Sequence, residues 1–302
     1  LTYINQKKIA IITGSSRGIG FTTALTLAEN GFNTYATVRN IDKAAGISEL
    51  AKKRNLPIEV VQLDVTDDVS VKQAIQFIVK KERQIDLLVN NAAYTMLGAA
   101  EDLSSEEIQA QFDTNVFGVF RTIREATPIM RRQKTGGTII NIGSANGFFG
   151  VPCASAYVAT KFALEGLTQS LRHELAPFGI RISIIEPGAI KTEVASYSMY
   201  LPKKLAIQQQ EQEQHLQPKG SNKNNSISSF AEMTKSIMDK SKAAVANGSD
   251  PKVVADIALK IAKAQKPNWR YCAGADAEKL FEAKRQMSDI EFERFLDELF
   301  GS

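Results

Sequence analysis

The sequence predicts an α/β fold, a doubly wound and mostly parallel sheet, and three observations predict it. Short β-branched apolar runs alternate with stretches of helical spacing from Lys8 to Ile185. The first run passes straight into a glycine turn, Gly14-Ser15-Ser16-Arg17-Gly18-Ile19-Gly20. The chain has 302 residues, 43% hydrophobic and 23% charged, enough for one large domain with a sizeable core.

The elements follow in order. Lys8 to Thr13 is the first strand. After the glycine turn, Thr23, Ala24, Leu27 and Ala28 repeat at helix spacing, Asn30-Gly31 ends the helix, and Phe32 to Val38 is the second strand. Strand, turn, helix, strand is a βαβ unit. Gly14 permits a tight turn, Gly18 lets the backbone approach a phosphate, and Gly20 allows close helix packing. The helix N-terminus then offers free N–H groups and its positive end to a pyrophosphate. The spacing is Gly-x-x-x-Gly-x-Gly, not the more widespread Gly-x-Gly-x-x-Gly. An NAD site usually offers a carboxylate at the end of the second strand, whereas a cation suits the 2′-phosphate of NADP. Here stands Arg39, with Arg17 in the turn as a second cation. The pair favours NADP over a plain solvated arginine at each position. Asp42, just past the strand, leaves some room for NAD.

Ile58 to Leu63 is the third strand. Asp64 either accepts from an adenine amino group or opens the next helix, Val69 to Lys80, for which Thr66 or Asp67 is a good N-cap. Ile85 to Val89 is the fourth strand and runs into Asn90-Asn91-Ala92-Ala93. These small and amide residues suit a close backbone approach and offer donors to a ribose, and a turn would use them too. A helix covers Ile108 to Phe120, the strand Thr138 to Ile142 ends near Ser144, and a helix covers Ala154 to Leu175. The strand Ile180 to Ile185 leads into Glu186-Pro187-Gly188-Ala189-Ile190-Lys191-Thr192.

The chemistry centres on Tyr157 and, four residues on, Lys161. On a helix this spacing puts both side chains on one face. A phenol has an ordinary pKa near 10, and a neighbouring ammonium favours its ionised form and lowers that value. The Ser144 hydroxyl at a strand end suits a carbonyl oxygen held beside the phenol. Such a set moves a proton onto or off an oxygen.

The ordered set Thr13-Gly14-x-x-x-Gly18-x-Gly20, Asn90-Asn91-Ala92, Asn115, Ser144, Tyr157-x-x-x-Lys161 and Pro187-Gly188 resembles the short-chain dehydrogenase/reductase family, over residues 8 to about 192. Ala93 stands where that family often has Gly. The resemblance implies a Rossmann-like sheet of about seven strands. It implies Tyr157 as general acid in reduction and base in oxidation, with Lys161 lowering its pKa and binding the nicotinamide ribose. It implies Ser144 on the substrate oxygen and Asn115 on a water joining Lys161 to solvent. Gly14, Ser16, Arg17, Gly18, Ile19 and Gly20 would surround the phosphates, with Arg39 on the 2′-phosphate. Asp64 and Val65 would flank the adenine, and Asn91 would meet its ribose. Pro187 and Gly188 would pack on the nicotinamide, with Ile190 and Thr192 at its carboxamide. It also implies a homodimer or homotetramer built through the Asn115 and Tyr157 helices. Within the family the tail and the Trp269-Arg270-Tyr271 stretch look similar to steroid, retinol and acyl-dihydroxyacetone-phosphate reductase-like members.

Toward the substrate side lie Phe148, Phe149, Val151 and Cys153, and later Tyr197, Met199, Tyr200 and Leu201. They suit either the walls of a hydrophobic pocket or core packing. Gln208 to Ser229 is polar and without aromatics, and reads as a loose insertion within a substrate cover at about 193–250. Helical spacing returns at Phe230 to Ala246 and Asp250 to Ala264. Trp269 to Gly274 suggests a last strand, and a helical extension is expected at about 275–302, with an amphipathic acidic helix over Met287 to Phe300.

Composition narrows the function. A net charge of +4 gives no argument for nucleic acid. Two cysteines without paired spacing and two histidines argue against a metal centre and for a reducing compartment. No apolar run reaches the roughly 18–20 residues of a membrane span, and no signal peptide precedes the first strand. A cytoplasmic enzyme is therefore the expectation, with a few residues expected before Leu1. The reading is one Rossmann-like domain over 1–302 with a C-terminal helical lid: an NADP(H)-dependent oxidoreductase interconverting a hydrophobic ketone or aldehyde and an alcohol, without metal. A 3-oxoacyl thioester reductase is the nearest rival, and an NADPH-sensing regulator without catalysis is the rival of another class.

Overall fold

The computed structural model describes residues 7–133, 135–192, 199–207 and 229–300. Its strands are β1 (Ile9–Ile12), β2 (Asn33–Val38), β3 (Ile58–Gln62), β4 (Leu87–Asn90), β5 (Thr95–Met96), β6 (Gly137–Ile142), β7 (Ile180–Pro187), β8 (Met199–Tyr200) and β9 (Arg270–Ala273). Seven of them form one sheet in the order β3-β2-β1-β4-β6-β7-β9, and every neighbouring pair is parallel. The chain steps outward from β1 in one direction and then from β4 in the other, so a crevice opens between β1 and β4 at the carboxyl ends.

Successive side chains on a strand point to opposite faces, and here both faces are apolar. Ile11, Ile139 and Ile184 enter one core, against Ile75 and Ile78 of α3 (Asp68–Glu82), Ile123 of α5 (Gly118–Arg132) and Leu164 of α6 (Ser155–Leu175). Ile12, Ile140 and Ile185 enter the other. Their partners are Leu27 of α1 (Gly18–Glu29), Ile47 of α2 (Ala45–Lys53), and Val254 and Ile261 of a helix over Pro251–Lys263. Each fully buried isoleucine stabilises the fold by about 1.5–3 kcal/mol.

Several elements refine the expectations. The segment read as one helix over Ile108 to Phe120 is α4 (Ser105–Phe112), a single π turn over Asp113–Phe117, and then α5. A π turn inserts one residue without breaking the helix, and Asn115 lies inside it. Asp67, not Thr66, caps α3 by accepting from the Val69 N–H at 2.8 Å. Helix α2 was not anticipated. Nor was the separate sheet of β5 and β8, whose strands have two residues each.

The remaining helices are α7 (Ser229–Ala246), α8 (Pro251–Lys263), α9 (Ala275–Gln286) and α10 (Asp289–Phe300). Asp250 caps α8 with Pro251 in its first turn, as the sequence predicts. Residues 193–198 and 208–228 fall outside the described set, so Tyr197 and nearly all of the polar Gln208 to Ser229 stretch lie there. The chain leaves the sheet after β7 and comes back to the same point. Ile190 bridges Ser249 in parallel, the Lys191 N–H donates to the Ser249 carbonyl at 2.8 Å, and the Ser249 N–H donates to the Ala189 carbonyl at 2.9 Å. Among the described residues no helix is long and apolar enough to cross a membrane.

Candidate active site

The glycine turn lies between β1 and α1. Gly14 and Gly18 have φ of +69° and +59°, which side-chain-bearing residues rarely adopt. A Cβ on Gly14 would also sit 2.9 Å from the Ala92 Cα. Gly20 has a different task from the helix packing expected of it. A Cβ there would run into the Asn91 amide and the Gly14 carbonyl. That amide donates to the carbonyls of Thr13 (2.9 Å) and Gly14 (3.0 Å), pinning the turn to the end of β4. Both Asn91 amide hydrogens are therefore spent, which leaves only its carbonyl oxygen for a ribose. Asn90 is also committed, donating to Asn141 Oδ1 at 2.9 Å and accepting from the Thr122 hydroxyl at 2.6 Å.

Helix α1 begins with no side-chain cap and no carboxylate in its first turn. Its N-terminal N–H groups thus point at a space suited to an anion. Beside it, Ser16, Arg17, Val38, Arg39, Asn40 and Lys43 line a cavity of about 180 Å³. Arg17 and Arg39 fall where the sequence placed them, and Lys43 is a third cation that the sequence reading missed. Asp42 is not among the lining residues. Asp64 is engaged locally, accepting from the Thr66 N–H (2.9 Å) and hydroxyl (2.7 Å), while neighbouring Val65 is buried. A Cβ on Gly18 would meet Thr192 at 3.4 Å, so Thr192 lies over the glycine turn. Ile190 is buried beside it. Pro187 ends β7, and the Gly188 N–H donates to Ala273 at 3.0 Å. Asp276, at the start of α9, accepts from the Ala189 N–H at 2.6 Å and so clamps the Pro-Gly turn.

Across the crevice, α6 presents Tyr157 and Lys161. Lys161 is 3% exposed, and its ammonium donates to the Ile142 carbonyl at 3.0 Å and lies 5.6 Å from the centre of the Tyr157 ring. Burial pushes the Lys161 ammonium down to about 8. Burial also raises the Tyr157 phenol above its ordinary value, while hydrogen bonds with Ser144 and Thr95 act in the opposite direction. The expected lowering by Lys161 is thus not what governs this phenol: its desolvation dominates, and two hydroxyls oppose it. Ser144 sits at the end of β6 and accepts from the Asn146 N–H at 3.2 Å.

Thr95 was not anticipated, and Asn115 explains its placement. The Asn115 side chain accepts from the Tyr94 N–H (3.0 Å) and donates to the Tyr94 carbonyl (2.9 Å) and to Thr160 (3.1 Å). Thr160 in turn donates to the Tyr157 carbonyl at 2.7 Å. The π turn therefore fastens the strand carrying Thr95 to the helix carrying Tyr157. On the same side, Leu97, Val151, Val158, Met199, Leu201 and Met238 form an apolar cluster. Phe148 and Phe149 pack instead against the C-terminal helices, Phe148 edge-on to Phe281 at 5.5 Å and Phe149 near Phe292 at 6.5 Å. Both belong to that packing, in which Val151 shares, while Met199 and Leu201 lie in the apolar cluster beside Leu97. Cys153 has φ of +57°, and its carbonyl accepts from the Gly98 N–H at 2.7 Å.

Comparison with known proteins agrees with this arrangement. The chain is 44% identical over 198 residues to an uncharacterized oxidoreductase, YusZ, of Bacillus subtilis, covering 64% of this chain and 69% of that protein. It is 36% identical over 187 residues to a 3-ketodihydrosphingosine reductase of Bacteroides thetaiotaomicron, covering 62% and 65%. A short-chain dehydrogenase from Streptomyces avermitilis superposes with a TM-score of 0.76 at 26% identity, over 98% of this chain and 99% of that one. The short chain dehydrogenase profile matches residues 8–199. With its parallel seven-stranded sheet, its glycine turn and its Tyr157–Lys161 helix, the chain belongs to the short-chain dehydrogenase family of oxidoreductases.

Proposed function

We propose that this protein is an NADP(H)-dependent oxidoreductase interconverting a hydrophobic ketone or aldehyde and the corresponding alcohol. The observation that carries the reading is the meeting of Ser144, Tyr157 and Lys161 at one end of the sheet, across from a cavity lined by three cations and no carboxylate. The residues fit such a cofactor. A Cβ would obstruct the turn at Gly14, the α1 N-terminus lacks a cap, and Arg17, Arg39 and Lys43 form a donor set for a phosphate monoester.

Gly14, Ser16, Gly18, Ile19 and Gly20 would cradle the diphosphate. Arg39 and Lys43 would hold the 2′-phosphate, and Asp64 and Val65 the adenine. Pro187, Gly188, Ile190 and Thr192 would bound the nicotinamide. Bound there, the dinucleotide supplies or accepts the hydride. In reduction, Ser144 and Thr95 hold the substrate oxygen by hydrogen bonds, and the Tyr157 phenol gives it a proton. The Lys161 ammonium then stabilises the phenolate left behind. In oxidation the phenolate takes the proton back. The cluster of Leu97, Val151, Val158, Met199, Leu201 and Met238 suits an alkyl chain or ring system. The similarity to a 3-ketodihydrosphingosine reductase supports the same substrate class. The segment at about 193–250 serves as the cover over that substrate.

The test follows NADPH absorbance against long-chain 3-ketones, steroids, retinal and 3-oxoacyl thioesters, with NADH and Tyr157→Phe as controls. Turnover with a hydrophobic ketone is expected, and Tyr157→Phe should lose it by about 10²–10⁴-fold while binding NADPH as before. Tight NADPH binding with no turnover on any carbonyl would overturn catalysis in favour of a sensor. Turnover confined to thioesters would reassign the substrate.

A further inference from the structure

Behind the reaction centre lies a buried charge cluster that the proposed chemistry does not use. Glu165 stands one helical turn beyond Lys161 on α6. Glu186 ends in the core immediately before Pro187-Gly188. Their side chains are 7% and 0% exposed. Arg270 of β9 reaches both: its guanidinium pairs with Glu165, and its Nε lies 3.1 Å from Glu186 Oε2. The guanidinium is itself sandwiched, 4.3 Å from the Trp269 ring centre and 5.3 Å from that of Phe281. The two side chains converge on one point as well as on one guanidinium, since a Cβ on Gly147 would lie 3.2 Å from Glu165 Cγ and 3.5 Å from Glu186 Oε1.

Two buried carboxylates against one guanidinium would leave an uncompensated negative charge in the core, which is strongly destabilising. The hydrogen-bond inventory makes the same point. Glu165 Oε1 and both Glu186 oxygens have no hydrogen-bond donor from the described residues. A proton held between the carboxyls neutralises one charge and bridges two of these three oxygens, and the third faces the Arg270 guanidinium, whose Nε lies 3.1 Å from Glu186 Oε2. Among the described residues, Arg270 is the cation paired with these two carboxylates. On α6 the Lys161 ammonium is directed to the Ile142 carbonyl. On β9 the neighbouring Cys272 thiol is pushed up to about 11 by burial, and α9 brings further carboxylates, Glu278 beside Cys272 and Asp276 on the Ala189 N–H.

We propose that Glu165 and Glu186 share a single proton beneath Arg270, and that this three-residue lock positions the Lys161 helix, the Ser144 turn and the Pro187-Gly188 turn about the reaction centre. The Ser144 turn is included through Gly147, whose Cβ would meet Glu165 Cγ at 3.2 Å and Glu186 Oε1 at 3.5 Å. Glu165, Glu186 and Arg270 are positioning residues, and their role in turnover rests on the function proposed above. The shared proton does not rest on it.

Burial, with Glu165 alongside, pushes the Glu186 carboxyl up to about 9 from an ordinary 4.5. Across that window the native chain keeps a proton that the unfolded chain has released, so stability falls as pH rises. One proton corresponds to about tenfold in the unfolding equilibrium constant per pH unit. Lys161, depressed to about 8, acts in the opposite sense above that pH, so the comparison with a variant is made between about pH 6 and 8.

The experiment is urea unfolding of the full chain without cofactor, for wild type, Glu186→Gln and Glu165→Gln. Glutamine copies the shape of a protonated glutamate. Relative to either amide variant, the wild type should lose about tenfold in the folding equilibrium constant per pH unit. Parallel pH profiles would overturn the shared proton, as would failure of both isosteric variants to fold at pH 6. On a substrate found by the panel above, Glu186→Gln should hold its kcat to higher pH than wild type. A loss of kcat equal at every pH would overturn the positioning role. Because the unfolding measurement needs no turnover, a wrong reading of the function cannot be confused with a wrong reading of the lock.

Discussion

Tyr157 titrates where three influences meet: burial raises its phenol, and the hydroxyls of Ser144 and Thr95 lower it. Removing either hydroxyl therefore leaves burial less opposed. In the oxidation direction of the proposed reaction, where the phenolate would be the base, Thr95→Val should move the rise of kcat toward higher pH, and Ser144→Ala should do the same. A pH profile of alcohol oxidation reads this directly, and an unmoved profile for Thr95→Val would remove Thr95 from the site. At the other end of the crevice, Arg39→Asp should reduce the preference for NADPH over NADH by about 10- to 100-fold, the scale of one or two charge-assisted hydrogen bonds. The ratio of kcat/KM with the two cofactors checks it. The placement of Tyr157, Lys161 and Arg39 was legible in the sequence because each belongs to a local pattern, a helical i, i+4 pair or a strand end. Thr95 was not, because nothing local marks a threonine that only the Asn115–Tyr94 hydrogen bonds bring to α6. The direction of the phenol's shift was not legible either, since it depends on burial, which spacing does not encode.

The glycine turn and β4 are joined by one side chain. Asn91 donates to the Thr13 and Gly14 carbonyls, and the space it occupies is the space a Cβ on Gly20 would need. Gly20→Ala should therefore displace the amide and loosen the turn. A loss of about 1–3 kcal/mol in stability is expected, with a weaker NADPH Kd, measured by thermal unfolding and by cofactor titration. A variant as stable as wild type with unchanged affinity would show that the amide relocates freely. Strands β1 to β4 and helices α1 and α3 were legible because each has a strong period and clear ends, whereas α2 was not. The Asp113–Phe117 π turn was not, since one inserted residue barely disturbs an apolar repeat. Strands β5 and β8 have too few residues to show any alternation. Their pairing is a tertiary event, and so is the meeting of Glu165, Glu186 and Arg270 from three distant stretches.

At the scale of the whole molecule, the helices carrying Asn115 and Tyr157 expose aromatic surface. Phe117, Phe120 and Phe162 are 50%, 48% and 46% exposed. The family resemblance makes this face the expected contact between copies. Phe120→Glu should weaken that association by on the order of 2 kcal/mol, seen as a shift toward monomer in sedimentation, with the fold unchanged by circular dichroism. A wild type that sediments as a monomer would remove the contact. The close return of the chain after β7 has a different consequence. Ala189 and Lys191 are hydrogen-bonded to Ser249, so everything between begins and ends on a single rung beside the sheet. Closing a loop costs entropy only as the logarithm of its length, about 0.6 kcal/mol for each doubling. Descendants of this gene can therefore lengthen, shorten or exchange the stretch between Lys191 and Gly248 as a cassette. With that stretch as the substrate cover proposed above, substrate choice would drift in this way while the sheet, the cofactor cleft and the phenol keep their inheritance.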